Sequence, residues 1–278
     1  MDKNKIICLV IILVSACVFL VPENFDNTHE SYPILNLVLY STDNGGSYDK
    51  MKELTQSYYQ KFSNVTTIYY RFEPSIPTSY ELRGNLLLIQ GEETYMPGIL
   101  QKTIKALEYF RSVLHHYKYV VRSNISTIIQ FDKLTEELQE NPVHYGCGLC
   151  WGIENIGKKT EKSHIGNIYS SGTSIILSSS TVARIIDNKK FIDETVIDDV
   201  SIGKLIIDKM PDIEMKSVLK DVPNNGFSFV PKFEKEELLH KFMDEQSDQI
   251  VFYRNHNGDR ELDVSQMTQI IDYLQNKN

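Results

Sequence analysis

Apolar and polar positions alternate along the chain in two periods, which predict strands and helices in turn. Short runs rich in apolar and β-branched residues predict four buried strands, at 34–42, 66–72, 85–91 and 117–123. Between them, apolar residues recur at helical spacing over about 48–62 and 99–115. Strands that alternate with helices at this pitch predict an α/β fold with a mostly parallel central sheet.

The second half of the chain continues with shorter predicted elements. In chain order they are a helix near 131–138, a loop rich in glycine and aromatic residues at 141–152, a turn, strand and helix within 171–188, a helix opened by two acids within 194–210, a strand at 249–254 and a final helix near 264–274. The helix within 171–188 is expected to begin near Ser179 or Ser180, because serine is a favoured N-cap residue.

The N-terminal segment has a different pattern. Two lysines precede an uninterrupted apolar run at 6–21, and acids follow it. The run is shorter than the roughly 20 residues that span a bilayer core, although thinner early secretory membranes accept short spans. We expect residues 1–22 to be a cytosolic tip and transmembrane anchor, 23–33 a short stem and 34–278 the folded domain. Two alternatives are a cleaved signal peptide and a lipoprotein signal whose cleavage box ends at Cys17.

Composition narrows the class of protein. The 278 residues carry a formal net charge of −8 and no cluster of Lys and Arg, which argues against nucleic acid as a partner. Cys147 and Cys150 form a single CxxC, which is weak support for zinc and predicts a local disulfide or two free thiols. Asn64 and Asn124 begin glycosylation acceptor patterns, which also arise by chance.

Polar side chains follow the fourth predicted strand directly. Arg122, Ser123, Asn124 and Ser126 come after the apolar pair Val120-Val121. In parallel α/β sheets, ligands bind at the C-terminal edge of the strands. The sequence therefore predicts a ligand site at the end of this strand.

Five segments, in chain order, carry a resemblance to one family. They are KTIKALEYF at 102–110, YKYVVRSNIS at 117–126, Tyr145-Gly146, SSGTSIILSSSTVARII at 170–186 and IDDVSIG at 197–203. In this order they resemble the Lys-Thr helix, the Tyr-Val-x-Lys-x-Asp-Asp-Asp strand, the Tyr-x-Gly segment, the Ser-Gly-x-Gly-Tyr-x-x-Ser segment and the Glu-Asp-Val-x-x-Gly helix of glycosyltransferase family 31, the β-1,3-galactosyltransferase and Fringe-like group.

The resemblance implies a fold and an activity. It implies a GT-A-like sandwich that binds nucleotide sugars and moves a hexose from a UDP-sugar to a hydroxyl of a glycan or glycoprotein, with inversion. Asp199, beside Asp198, matches the general base, which must take the proton of the attacking hydroxyl. The resemblance also implies a type II protein of the Golgi or endoplasmic reticulum with a lumenal domain. Secretion is the alternative.

The family's metal-binding strand end is altered in this chain. Asn124 and Ser126 stand where the family has acids, Ile125 replaces the central acid and Arg122 replaces the lysine. Hard divalent ions prefer carboxylates, so manganese is doubtful and metal use stays open. Either Arg122 and Lys102 neutralise the donor diphosphate directly, or donor binding is lost. We expect Lys102, Arg122, Asn124 and Ser126 to lie near the donor.

Other candidate residues have structural alternatives. Trp151 and Gly172 are candidates for the acceptor side, although a lone tryptophan usually serves in packing. Two acids in a first helical turn also suit the helix dipole without any catalysis. Arg254 and Arg260 carry charge that could reach a phosphate. An inactive GT-A-fold module that binds carbohydrate or protein is therefore the alternative to an enzyme.

Overall fold

The computed structural model describes residues 33–42, 45–152, 168–217 and 226–277, all of which belong to one compact unit. The predicted anchor, and the predicted stem apart from Pro33, lie outside these residues. Within the described ranges, no helix is long and apolar enough to cross a membrane. The anchor and the bounds of the folded domain remain predictions.

An eight-stranded mixed sheet forms the centre of the fold, as the alternating pattern predicted. Its strands are β1 (Ile34–Leu39), β2 (Val65–Phe72), β3 (Tyr80–Arg83), β4 (Leu86–Ile89), β5 (Tyr119–Asn124), β7 (Tyr145–Cys147), β10 (Ile175–Ser178) and β11 (Met215–Ser217), in the order β11-β7-β10-β5-β1-β2-β4-β3.

The direction of the strands gathers their ends at one edge. Strands β4, β2, β1 and β5 are parallel neighbours, so their C-terminal ends meet. Strand β10 runs antiparallel beside β5, so the residues just before β10 reach the same edge. The β4-β2-β1-β5 part has the 3-2-1-4 order of doubly wound nucleotide-binding sheets.

Seven helices are described, and they cover both faces of the sheet. They are α1 (Ser47–Tyr59), α2 (Gly98–Tyr109), α3 (Phe131–Glu140), α4 (Ser179–Asp187), α5 (Asp198–Lys209), α6 (Glu236–Gln246) and α7 (Arg260–Lys277). Helices α1, α3, α6 and α7 pack on one hydrophobic cluster, and α2, α4 and α5 on the other. Each face of the sheet therefore has its own core.

Strand β5 shows how period-two alternation sends its residues to different faces. Tyr119 and Val121 belong to the cluster under α1 and α7, whereas Val120 belongs to the cluster under α2, α4 and α5. Side chains alternate along a strand, so Arg122 and Asn124 follow Val120 to the second face. A buried arginine therefore meets the ends of α2 and α5.

Two smaller sheets flank the centre. Strands β12 (Phe227–Val230), β13 (Phe252–Asn255) and β6 (Thr127–Ile129) form one of them, in which Arg254 pairs with Thr127. Strands β8 (Cys150–Gly152) and β9 (Ile168–Ser170) form an antiparallel ribbon. Cys147 and Cys150 are joined by a disulfide, one of the two states that the sequence allowed.

Several predicted boundaries were wrong for identifiable reasons. The helix predicted over 99–115 ends at Tyr109 and continues as a 3-10 turn at Arg111–His116. Phe110 and Leu114 are buried although they lie outside α2. Their apolar spacing therefore predicted which residues are buried, but it did not distinguish an α-helix from a 3-10 helix. Helix α4 begins at Ser179, as predicted, but its N-cap is the preceding Ser178, which accepts from the Thr181 N–H at 3.2 Å.

The C-terminal elements are also displaced from their predicted bounds. The strand predicted at 249–254 is Phe252–Asn255, and the final helix begins at Arg260 rather than near 264. The Asp259 carboxylate accepts the N–H groups of Glu261 and Leu262, which explains the early start. Strands β3, β6, β7, β8, β9, β11 and β12 and helix α6 were not predicted, and β7 and β8 lie within the segment 141–152 that was predicted as a loop.

The central strand β1 offers a test of the packed core. Leu37 is 0 % exposed in the middle of the sheet, whereas Leu82 on the edge strand β3 is 37 % exposed. We expect Leu37→Ala to lower the free energy of unfolding by about 2–5 kcal/mol, because it leaves a cavity in a packed core. Leu82→Ala should cost less than about 1 kcal/mol. Urea unfolding of both variants measures the difference, and equal losses would contradict this core.

Candidate functional site

Arg122 lies at the centre of a polar cluster at the C-terminal edge of the sheet. Its guanidinium is 2 % exposed, and its Nη2 lies 2.5 Å from Oδ2 of Asp198 in a charge contact that is not aligned as a hydrogen bond. Nη1 donates to Asn124 Oδ1 at 3.0 Å and to the carbonyl oxygen of Gly172. Three elements, β5, the turn before β10 and α5, thus converge on one side chain.

The charge on Arg122 is stable in this setting. Burial is the largest single influence on the pKa of Arg122 and acts to lower it, but Asp198, Tyr70 and Asp199 together outweigh burial, and the pKa is raised. The hydroxyl of Tyr70 also interacts with the guanidinium and is bonded to Thr103 at 2.9 Å. Arg122 Nε is buried without a hydrogen-bond partner among the described residues.

The two adjacent acids of α5 differ in their surroundings. Asp198 is 3 % exposed and faces Arg122, while Asp199 is half-buried. Asp199 Oδ2 accepts the Gly172 N–H at 2.9 Å, and its Oδ1 accepts the Val200 N–H at 2.8 Å. Burial, followed by the charge of Asp198, raises the pKa of the Asp199 carboxyl above its ordinary value. Asp199 is therefore a stronger base than an ordinary aspartate, and it is more accessible than Asp198.

Gly172 is held between the arginine and the second acid. A Cβ at this position would lie 2.6 Å from Arg122 Nη1 and 3.5 Å from Asp199 Oδ2. Its carbonyl oxygen accepts from Arg122, and its N–H donates to Asp199. The absence of a side chain lets one residue bridge the two charged groups through its N–H and its carbonyl oxygen.

Lys102 forms a second ion pair at the same edge, in which the lysine is buried and its partner Glu93 is exposed. Its Nζ lies 2.6 Å from Glu93 Oε2, and it donates to Ser41 Oγ at 2.9 Å and to the Tyr40 carbonyl at 3.3 Å. Burial lowers the pKa of Lys102, and the hydrogen bond that Lys102 donates to Glu93 opposes that shift. The charges of Arg122 and Asp198 act on Lys102 as well, so the two ion pairs belong to one electrostatic cluster.

The altered metal positions are occupied by contacts to arginines. Asn124 Oδ1 accepts from Arg122, and Ser126 Oγ accepts from Arg254 Nη1. Ile125 is 6 % exposed and packs in the core. No group of three His, Cys, Asp or Glu that could hold a metal occurs in the described part of the chain. These positions do not fit a divalent cation, because both oxygens already face guanidinium groups.

The cluster gathers most of the residues that the sequence singled out. Lys102, Arg122, Asn124, Asp198, Asp199 and Gly172 share it, and Ser126 adjoins it through Arg254. Trp151 lies on the β8–β9 ribbon, 47 % exposed, with no described contact to the cluster. Sequence reasoning missed Glu93, which carries no motif and is recognised only by its contact with Lys102.

Comparisons with known proteins give remote likenesses. No protein-family model and no curated protein matches the sequence. A crystal structure of a glycosyltransferase involved in the glycosylation of the major capsid of PBCV-1 aligns with a TM-score of 0.44 and 10 % identity, over 84 % of this chain and 98 % of that one.

A second solved structure is more distant. 4-Diphosphocytidyl-2C-methyl-D-erythritol synthase aligns with a TM-score of 0.35 and 9 % identity, over 62 % of this chain and 84 % of that one. Both TM-scores lie below 0.5, so neither likeness by itself establishes a shared fold.

Gly172 provides a test of the cluster. We expect Gly172→Ala to lower the free energy of unfolding by about 1–3 kcal/mol, because the new methyl overlaps the buried guanidinium of Arg122. Gly152→Ala is the matched control, since a Cβ at Gly152 meets nothing within 4 Å. Thermal unfolding of both variants measures the effect. A Gly172→Ala protein as stable as the control would show that the turn does not press on Arg122.

Proposed function

We propose that the chain is an inverting glycosyltransferase with a GT-A-like sandwich fold. It moves a hexose from a UDP-sugar to a hydroxyl of a glycan or glycoprotein, with Asp199 as the general base. The proposal is supported by the 3-2-1-4 strand order and by the polar cluster at the strand ends, where such sheets bind nucleotides.

The contrast between two adjacent acids carries the proposal. Asp198 is buried and balanced by Arg122, so it is not available to a substrate. Asp199 is more accessible, and each of its oxygens accepts one backbone N–H. A carboxylate oxygen has two acceptor sites, so Asp199 retains capacity for the proton of a hydroxyl. Its raised pKa makes it a stronger base than an ordinary aspartate.

The proposed chemistry is a single displacement at the anomeric carbon. The acceptor oxygen forms a bond to that carbon while the bond from the carbon to the diphosphate oxygen breaks. UDP leaves with the electron pair, and Asp199 takes the proton of the acceptor hydroxyl. Attack opposite the leaving group inverts the anomeric configuration. Fixed donors and cations near the diphosphate stabilise the charge that develops there.

The proposed acceptor side and location rest on sequence. Trp151 presents an exposed aromatic face, which suits packing against a sugar ring. The apolar N-terminal run supports a lumenal domain anchored in the Golgi or endoplasmic reticulum, with secretion as the alternative.

A second candidate is a binding module of the same fold without transfer activity. The two buried cations favour this candidate, because Asp198 already balances Arg122 and Glu93 already balances Lys102. Neither cation is then left to neutralise a donor diphosphate. Such a module would bind a carbohydrate or protein and release no UDP.

Replacement of the base separates the two candidates. We expect Asp199→Asn to lower the rate of UDP release from a UDP-hexose by about a hundredfold or more, because an amide does not accept the hydroxyl proton. Asp208→Asn is the matched control, since Asp208 is an exposed acid on the same helix. Coupled detection of UDP, with UDP-glucose, UDP-galactose and UDP-N-acetylglucosamine in turn, measures the rate. Absence of UDP release from the unmodified chain, with sugar binding equal in both variants, would favour the binding module.

The pH dependence of the rate tests the role of Asp199 further. The group must be ionised to act, and its pKa is raised by burial and by Asp198. We expect kcat/KM to fall on acidification at a higher pH than an ordinary aspartate would give. In the folded state the same shift favours the protonated form, so its stabilising effect is lost as the pH rises through the raised pKa. Asp199→Asn should therefore lose this dependence of the unfolding temperature on pH. If kcat/KM instead falls at the pH expected for an ordinary aspartate, a residue other than Asp199 is the general base.

A further inference from the structure

The cations of the polar cluster differ in how their charge is balanced. Lys102 lies 2.6 Å from Glu93, Arg122 lies 2.5 Å from Asp198 and Arg260 lies 2.8 Å from Asp263. Arg254 differs from all three, because it makes no ion pair with any carboxylate in the described ranges. The charge of Arg254 is therefore the uncompensated one of the four.

Arg254 is held at the edge of the cluster by one side-chain hydrogen bond. Its Nη1 donates to Ser126 Oγ, which ends the segment that begins at Arg122. Its Nε and Nη2 donate to nothing among the described residues, and neither is sealed from solvent as Arg122 Nε is. The free side of the guanidinium is thus open to a ligand that can accept two parallel hydrogen bonds.

The surroundings of Arg254 oppose its charge. Burial, followed by the positive charge of Arg260, lowers its pKa to about 10; the charge of Asp263 offsets part of this shift, and Arg122 adds to the repulsion. At neutral pH the group is still charged. A partly buried cation beside two others is costly unless an anion joins it, because neither water nor a carboxylate compensates it fully. The site is therefore built for an anion that the protein does not supply.

We propose that Arg254 binds the diphosphate of the nucleotide-sugar donor and supplies the positive charge that a metal ion supplies in acid-lined sites of this kind. The inference rests on the proposed function for the identity of the donor, and on geometry for the anion site. Arg122 is the positioning residue in this arrangement. Its charge is balanced by Asp198, and it orients Asn124 and the Gly172 peptide beside the site.

The chemistry of the ligand follows from the geometry. A guanidinium matches phosphate oxygens in a bidentate arrangement, and phosphate is the anionic part of a UDP-sugar. The positions that would hold a metal present an amide and a hydroxyl, both already bonded to arginines. Donor binding is therefore expected without a divalent cation.

Calorimetric titration of the full chain in EDTA tests the proposal, with UDP, inorganic pyrophosphate and uridine as probes. We expect UDP and pyrophosphate to bind without metal. We expect Arg254→Gln to weaken both by about tenfold or more, since a charge-assisted contact is lost. Binding of uridine, which has no phosphate, should be unchanged. Arg184→Gln is the control, because Arg184, which lies on α4, makes an exposed ion pair with Asp212.

A stability measurement guards against misfolding as the cause. Arg254→Gln removes an unbalanced charge and keeps a group that can bond Ser126, so its unfolding temperature should equal or exceed that of the unmodified chain. Arg254→Lys, which keeps the charge but not the planar fork, should recover part of the pyrophosphate affinity. Loss of binding together with a lower unfolding temperature, and no recovery in Arg254→Lys, would overturn the assignment.

The outcomes separate this proposal from the proposed function. UDP binding that requires manganese, or that is equal in Arg254→Gln, overturns the arginine site and leaves glycosyl transfer standing. Metal-free binding of pyrophosphate that depends on Arg254, without any binding of UDP-sugars, supports the anion site and overturns the donor. Binding of none of the probes, with or without manganese, overturns both.

Discussion

The buried contact between Arg122 and Asp198 is the interaction on which the rest of the candidate site depends. It joins the end of β5 to the first turn of α5 through two residues that are 76 positions apart in sequence. A charge buried to this degree is strongly destabilising without its partner, so each residue requires the other. The pair fixes the Gly172 turn, because Gly172 bonds Arg122 through its carbonyl and Asp199 through its N–H.

That pairing divides the remaining charges into two kinds. Asp198 and Glu93 each neutralise a buried cation and hold elements together. Asp199 and Arg254 lie next to these pairs without a partner of opposite charge at contact distance in the described part of the chain. The unbalanced groups are an anion with raised pKa and a cation with lowered pKa, as expected where a substrate completes the electrostatics.

The candidate site could be predicted from the sequence only in part. Arg122 and Asn124 lie at the end of a buried strand, and the rule that ligands bind at strand ends predicted the edge at which the polar cluster lies. The resemblance to a family brought Asp199 and Lys102 to attention. Glu93 carries no motif and was missed. Arg254 had only its charge to suggest a role, because its position depends on how β13 pairs with β6.

Local patterns by themselves determined part of this architecture: helical spacing identified most of the described helices, and apolar runs identified the four parallel strands of the central sheet, because residue type reflects which face of an element is buried. Boundaries at Tyr109, Ser178 and Arg260 required hydrogen bonds that a pattern does not encode. Only the tertiary structure decided which charges neutralise each other. Asp198 and Asp199 are adjacent acids in sequence, and the helix turns one toward Arg122 and leaves the other accessible, since successive helical residues face different directions.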